Sequence, residues 1–290
     1  MFTAAKKTIL ITGASDGVGK ETATTLAGQG HTVIIHGRDP KKSRTALEEI
    51  RTRSGNPDVH LFLADFLSFA GVKAFAEEIK RNFDHLDVLI NNAGAQFSDT
   101  REETKDGHEK TMVINVFSPL LLTTLLLDLL KTSPSARVVT VSSDSHKIAK
   151  PDLNDIELTR GYSMPRAYAN SKLYIIWVMN HFASELRQTG ITNVAFNCVH
   201  PGSTQSSLGR EATKSLKWKI LFSLWWFMLI PLDKAAGSSI YAATAPEISG
   251  LSGKYYGPKG VETPSARHYS AGNERKVWEY ARSVISPYLS

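Results

Sequence analysis

Cysteine is almost missing from these 290 residues; Cys198 is the only one. No internal disulfide can form and no cysteine-rich zinc site can be assembled, so a reducing compartment is expected. The nine histidines show no His-Glu-x-x-His or other clustered ligand spacing, and no metal is expected. Long apolar runs are missing too. The early run Thr8-Ile9-Leu10-Ile11-Thr12 is far too short for a signal peptide or a spanning helix. The most aromatic and apolar stretch, Trp218–Leu232, falls below the about 20 residues that a bilayer crossing needs. Charge of one sign is not concentrated: 34 basic residues are interspersed with 28 acidic ones, net +6, and the only adjacent lysine pairs are Lys6-Lys7 and Lys41-Lys42. That is too diffuse for a nucleic-acid footprint. There is no fixed-period repeat, low-complexity tract or linker-like shift in composition. A cytoplasmic enzyme that starts at its first strand is the expectation.

What is present is ordinary globular usage, 42% hydrophobic and 21% charged, enough to bury a sizeable core. Short β-branched runs alternate with stretches of helical period, which predicts an α/β fold: a doubly wound, Rossmann-like parallel sheet of about seven strands with helices on both faces. The predicted strands are Thr8–Thr12, Thr32–His36, Val59–Leu63, Asp87–Ile90, Arg137–Ser142, Asn193–His200 and Gly253–Tyr256. The predicted helices lie near Gly17–Gln29, Lys41–Arg53, Phe69–Asn82, Gly107–Leu130, Tyr168–Thr189 and Lys234–Ala245. Turn signals fall between them, at Gly30, at Gly55-Asn56-Pro57 and at Gly190. One catalytic domain spanning 1–290 accounts for the chain, with a substrate lid near 204–232.

Directly after the first strand comes Thr12-Gly13-Ala14-Ser15-Asp16-Gly17-Val18-Gly19, followed by a helix. Glycine at three positions lets the backbone turn tightly and approach a pyrophosphate, which would sit on the unpaired amides at the positive end of the helix. A strand-to-helix turn also wants glycine for packing alone, and the placement in the first strand–turn–helix unit is what favours the phosphate. The spacing Gly-x-x-x-Gly-x-Gly resembles the short-chain dehydrogenase/reductase superfamily. Further matches follow in order: Asp65, Asn91-Asn92-Ala93-Gly94, Asn115, Ser142-Ser143, Tyr168-x-x-x-Lys172 and Pro201-Gly202. Within that superfamily, Gly37-Arg38-Asp39, Asp152-Leu153-Asn154, Ala167-Tyr168-x-x-Ser171-Lys172-Leu173 and His200-Pro201-Gly202 resemble the retinol dehydrogenase-like branch.

Tyr168 and Lys172 are four apart on a predicted helix, so both side chains leave the same face. A free tyrosine titrates near about 10, and a neighbouring ammonium favours the phenolate, which predicts a lowered value for Tyr168. Tyrosine and lysine also share helix faces for packing alone. Ser143 ends a strand at the carboxyl edge of the sheet, where open α/β folds bind ligands, and Ser142 is its alternative. The resemblance places the catalytic serine at the second of the two. It further implies that Asn115 holds a water linking Lys172 to solvent; a buried structural amide is the competing reading. The implied reaction is hydride transfer between a nicotinamide and a carbonyl or alcohol, with Tyr168 moving the proton, Ser143 orienting the oxygen and Lys172 steadying the tyrosine and the nicotinamide ribose.

The resemblance assigns cofactor contacts to Gly13, Ser15, Asp16, Gly17, Val18, Gly19, Asp65, Phe66, Asn92, Ala93, Gly94, Tyr168, Lys172, Pro201, Gly202, Thr204 and Ser206. After the second strand, Gly37 holds the place where NAD enzymes of this kind put an acid, and Arg38 follows. A guanidinium suits a 2′-phosphate by charge and by its forked donors, so NADP is expected, with NAD as the alternative. Arg38 capping the strand or pairing with Asp39 is the plainer account, and Lys41 or Lys42 is a further cation in reach. Trp218–Leu232 reads as a lid over an apolar or aromatic substrate, with peripheral membrane contact and a core helix as the alternatives. His146 reads as a polar loop residue. The expected partner is a small carbonyl or alcohol, and nothing indicates an oligomeric state. A catalytically inactive NADP-binding regulatory or scaffold protein would share the fold, and a broken catalytic group would mark it. An epimerase or dehydratase of the extended relatives would carry a different glycine spacing.

Overall fold

In chain order the strands are β1 (Thr8–Ile11), β2 (Thr32–Gly37), β3 (Val59–Leu63), β4 (Val88–Asn91), β5 (Ala136–Val141), β6 (Val194–Val199), β7 (Lys254–Gly257) and β8 (Gly260–Glu262). The structure, a computed structural model, describes residues 5–202 and 230–289. The strands make one sheet of order β3-β2-β1-β4-β5-β6-β7-β8. β1 to β7 run parallel, and β8 returns antiparallel to β7. The sequence predicts about seven strands. The eighth exists because Pro258 and Lys259 reverse the chain in a two-residue turn closed by the Gly257 and Gly260 pair.

The helices are α1 (Gly17–Gly28), α2 (Pro40–Ser54), α3 (Phe69–Asn82), α4 (Lys110–Met112), α5 (Ser118–Leu125), α6 (Leu127–Lys131), α7 (Met164–Gln188), α8 (Leu232–Thr244) and α9 (Ala271–Ile285). All four residues of β1 and all six of β6 are buried, as expected of a parallel sheet covered on both faces. Side chains alternate between two cores. Leu10, Ile34, Leu89 and Val138 pack with Phe75, Leu120, Tyr174 and Trp278 from α3, α5, α7 and α9. Ile9, Ile35, Val88 and Val139 pack with Leu26, Ile50 and Ala242 from α1, α2 and α8.

The single helix predicted over Gly107–Leu130 is a broken one. Glu109 caps α4 by accepting the N–H groups of Thr111 (2.8 Å) and Met112 (2.7 Å). A π-helical turn, Val113–Phe117, then separates α4 from α5. α7 begins at Met164, four residues ahead of the predicted start, because Pro165 suits a first turn. α9 was not predicted. Ser270 caps it by accepting the Asn273 N–H at 3.1 Å, and Val277, Trp278, Ala281, Val284 and Ile285 make its buried stripe. Among the described residues no helix is long and apolar enough to cross a membrane. Strand order reverses at β1, so the crevice where ligands bind in such sheets opens at the carboxyl ends of β1 and β4.

Candidate active site

The glycine turn fills one side of that crevice. Gly13 and Gly17 have φ of +65° and +54°, a region closed to most side chains. Asp16 is extended and caps α1 by accepting the Gly17 N–H at 2.8 Å. A Cβ on Gly19 would lie 2.4 Å from Asn92 Nδ2 and 2.5 Å from the Gly13 oxygen, so the helix start can approach β4 only as glycine. Asn92 locks this approach by donating to the Thr12 oxygen (2.8 Å) and the Gly13 oxygen (3.1 Å). Thr12 Oγ1 in turn accepts the N–H groups of Asn92 (3.0 Å) and Ala93 (2.9 Å). The first amides of a helix have no partner within it, so Val18 and Gly19 present donors at the mouth of α1. Ser15 lies beside them, facing Gly37. A tight turn, a helix mouth and a close strand crossing together fit a dinucleotide pyrophosphate.

Further along the crevice, Ser142 and Ser143 follow directly on β5. Ser142 Oγ is buried and donates to the Lys172 carbonyl at 2.7 Å, so its hydroxyl is committed to α7. Ser143 is the half-buried one; its Oγ donates to Ser145 Oγ and accepts the Ser145 N–H, both at 3.2 Å, and lies close enough to the Tyr168 hydroxyl to act on its titration. Lys172 Nζ donates to the Val141 oxygen at 3.0 Å and lies 5.6 Å from the Tyr168 ring centre. Both residues are deeply buried. Burial pushes Tyr168 up to about 12, with bonds to Ser143 and Gln96 opposing it, and burial pulls Lys172 down to about 8. The direction is thus opposite to the lowered tyrosine expected from the ammonium, because burial outweighs the Ser143 and Gln96 interactions that oppose it.

Asn115 stands in the π-helical turn. Its Nδ2 donates to the Ala95 oxygen (3.1 Å) and to Ser171 Oγ (3.0 Å), and its Oδ1 accepts the Ala95 N–H (3.1 Å). Pro119, four residues on, has no N–H to give the Asn115 carbonyl the usual helical bond. A Cβ on Gly94 would come within 2.8 Å of Asn115 Oδ1 and 3.2 Å of Lys172 Nζ, so glycine there leaves room for both groups.

On the adenine side, Gly37 could not be an acid without rearrangement. Its Cβ would lie 2.1 Å from Ser43 Oγ and 3.2 Å from Ser15 Cβ. Arg38 is exposed and has no ion pair among the described residues. Asp39 does not pair with it but caps α2, accepting the Lys42 N–H at 2.8 Å. Lys42 Nζ reaches Asp16 Oδ2 at 2.6 Å, across a depression of about 430 Å³ that Ser15, Lys41 and Thr45 also line. Asp65 is exposed beyond β3 and accepts the Leu67 N–H. The Phe66 side chain is buried and stacked on His36 at 3.9 Å. Its ring packs into the core, so a cofactor contact at Phe66 would fall to its main chain.

Pro201 and Gly202 follow β6, with Gly202 at φ +76°. Thr204 and Ser206 lie outside the described residues, as does the Trp218–Leu232 segment up to residue 229. Three more residues adjoin the site: Gln96 and His36, which the sequence does not single out, and His146, read there as a polar loop residue. Gln96 shares the Tyr168 hydroxyl with Ser143. His146 is buried, with Nδ1 2.7 Å from the Ser143 oxygen and Nε2 accepting the Ser265 N–H at 3.0 Å. His36 accepts the Gly13 N–H. No motif marks any of them, since each is defined by a partner distant in sequence. Asp144, His200 and Glu262 also gather their ligand atoms within 4.8 Å. His200 Nδ1 accepts the Gly202 N–H, so Nε2 carries the ring proton, 3.1 Å from Glu262 Oε1 but without a hydrogen bond to it, which is the wrong tautomer for a metal ligand there.

A family profile described as short chain dehydrogenase matches residues 7–217. Human retinol dehydrogenase 14 is 34% identical over 294 residues, covering 96% of this chain and 86% of that protein. Human retinol dehydrogenase 12 is 38% identical over 283 residues, again covering 96% and 86%. Among solved structures, a Shigella flexneri short chain dehydrogenase complexed with NADP superposes with a TM-score of 0.68 at 26% identity, covering 89% of this chain and 98% of that one. The chain thus belongs to the short-chain dehydrogenase/reductase superfamily, in its retinol dehydrogenase-like branch, and is an oxidoreductase.

Proposed function

We propose that this oxidoreductase interconverts an apolar alcohol and its carbonyl with NADP(H), and that Tyr168, Ser143, Lys172 and Asn115 carry the proton chemistry. The observation that carries the reading is the convergence of Ser143 and Lys172 on Tyr168 at the sheet edge, beside a glycine turn that fits a pyrophosphate. When bound, the nicotinamide supplies or accepts the hydride. The chain's own residues do the rest. Tyr168 keeps its proton at neutral pH, since burial raises it to about 12, and so stands ready to donate to the oxygen of a carbonyl being reduced. Ser143 orients that oxygen by a second hydrogen bond. Lys172, drawn down to about 8, releases and regains a proton far more readily than a surface lysine and resupplies the tyrosine. Asn115 holds the lysine pocket through Ala95 and offers its own carbonyl to a relay water.

The glycine turn, with Ser15, Asp16, Val18 and Gly19, would hold the pyrophosphate, Asp65 the adenine, and Asn92, Ala93, Gly94, Pro201, Gly202, Thr204 and Ser206 the nicotinamide half. NADP rather than NAD is supported by two features of the β2 end: a side chain at position 37 would collide with Ser43, and Arg38 next to it is an exposed cation. An apolar substrate is supported by the retinol dehydrogenases among the relatives and by the aromatic Trp218–Leu232 segment. The test is a panel of aliphatic, aromatic and isoprenoid aldehydes and ketones with NADPH and with NADH, followed at the nicotinamide absorbance. Turnover restricted to NADH, or to small polar carbonyls, would refute the reading.

A further inference from the structure

His36 is the last but one residue of β2, its ring on the α3 side of the sheet, buried, stacked on Phe66 at 3.9 Å and 12°, and edge-on to Phe75 at 5.1 Å. A buried imidazole is costly unless both nitrogens find partners, and both do. Nδ1 accepts the Gly13 N–H at 3.1 Å, and Nε2 lies 3.1 Å from the Ala64 oxygen. These partners leave no choice of protonation state. A backbone N–H can only donate and a carbonyl can only accept, so the ring is neutral and carries its proton on Nε2. The main chain adds to the hold, because the Ala14 N–H donates to the His36 oxygen at 2.9 Å and the Ala64 N–H to the Gly37 oxygen at 3.2 Å. One residue thereby joins the first two amides of the glycine turn to the loop that begins Ala64-Asp65-Phe66.

We propose that His36 is a positioning residue for dinucleotide binding, holding the pyrophosphate turn after β1 and the adenine loop after β3 at a fixed separation through its two ring nitrogens. This rests on the cofactor assignment made above. The ring touches neither subsite itself, and it acts through Gly13 and Ala64. Burial draws its titration down to about 4, with the Ala64 oxygen and the Asp65 carboxylate opposing, so it stays neutral through the neutral range. Protonation would set an Nδ1–H against the Gly13 N–H.

The test compares wild type with His36→Leu and His36→Asn, by titration calorimetry with NADPH and by turnover at saturating cofactor. Leucine fills the site with neither polar partner, whereas the asparagine Oδ1 takes the place of Nδ1 and accepts from Gly13. The expected result for His36→Leu is a dissociation constant for NADPH raised about tenfold, with kcat at saturation within about twofold of wild type. His36→Asn should recover most of the lost affinity. Should His36→Leu fail to fold, His36→Gln replaces it with the same expected loss, since its amide reaches the Ala64 oxygen and not the Gly13 N–H. Long-range proton–nitrogen NMR of the protein without dinucleotide should find His36 neutral with the proton on Nε2. Wild-type affinity in the leucine variant, equal losses in leucine and asparagine, or a proton on Nδ1 would each overturn the inference. Failure of the wild-type protein to bind either dinucleotide would instead overturn the proposed function and this inference together.

Discussion

Asn115 and Ala95 hold each other through a reciprocal pair of hydrogen bonds, Nδ2 to the Ala95 oxygen and the Ala95 N–H to Oδ1, both 3.1 Å. The pair fastens the loop that leaves Gly94 to the π-helical turn. Replacing Asn115 by Leu leaves the Ala95 N–H, its carbonyl and Ser171 Oγ without these bonds. An unsatisfied buried polar group costs about 1–3 kcal/mol, so Asn115→Leu should lower the unfolding free energy by at least that amount and reduce turnover with it. Denaturant unfolding of the two proteins without cofactor measures the first effect. Unchanged stability would mean that the pair is not the anchor it looks to be.

Tyr168→Phe removes one hydroxyl from the group it shares with Ser143 and Gln96 and leaves the glycine turn untouched. We expect turnover to disappear and NADPH affinity to stay within about threefold of wild type, because a peripheral contact changes binding by little. Measurable wild-type turnover in this variant would remove Tyr168 from the proton path.

Arg38→Ala deletes the exposed guanidinium next to Gly37. A charge-assisted hydrogen bond contributes roughly 1.5–3 kcal/mol, so NADPH binding should weaken about tenfold or more while NADH binding stays the same. The ratio of kcat/KM for the two cofactors reads this directly. A parallel loss for both dinucleotides would place Arg38 on the shared part of the molecule rather than on the 2′-phosphate.

His108 and Glu157 form a partly buried pair at 2.8 Å that joins the α4 approach to the segment before α7, and Tyr280 of α9 donates to the same carboxylate. The bond to Glu157 raises His108. Its stabilisation is therefore complete below the ordinary imidazole value and is lost as pH rises through the raised one. Burial pushes Glu157 upward, but bonds from His108, Tyr280 and the Glu109 N–H outweigh it and hold it low, so its contribution is complete above the ordinary carboxylate value and is lost on acidification. Both are present between about pH 4.3 and about 6.5. His108→Gln keeps a donor without a titration and should flatten the alkaline side of the stability profile, measured by denaturant midpoints across pH. The same alkaline slope in both proteins would show that another group is responsible.

Much of the fold is legible in the chain because it is written in neighbours. The seven parallel strands, the glycine turn and the four-residue step from Tyr168 to Lys172 depend on periodicity and turn geometry within a few residues. α9 carried such a signal as well, in Ser270 and the apolar spacing from Val277 to Ile285, and it was passed over. β8 left a fainter one, three residues after Gly257-Pro258-Lys259-Gly260, too short for alternation to register.

The remaining decisions belong to the tertiary structure. Residue type alone does not separate Ser142 from Ser143, which only the family resemblance tells apart in sequence; the physical reason is the closure of α7 over β5, which draws Ser142 Oγ to the Lys172 carbonyl and leaves Ser143 on the Tyr168 side. The titration of Tyr168 runs opposite to its expected direction because burial, a property of the whole assembly, outweighs the polar contacts that oppose it. His36 reads as one more strand residue until Gly13, 23 positions before it, and Ala64, 28 positions after it, arrive at its two nitrogens. Local spacing determined which residues could reach a common edge of the sheet. Which atoms meet there, and how far each is withdrawn from water, was decided by contacts between segments that the chain brings together only on folding.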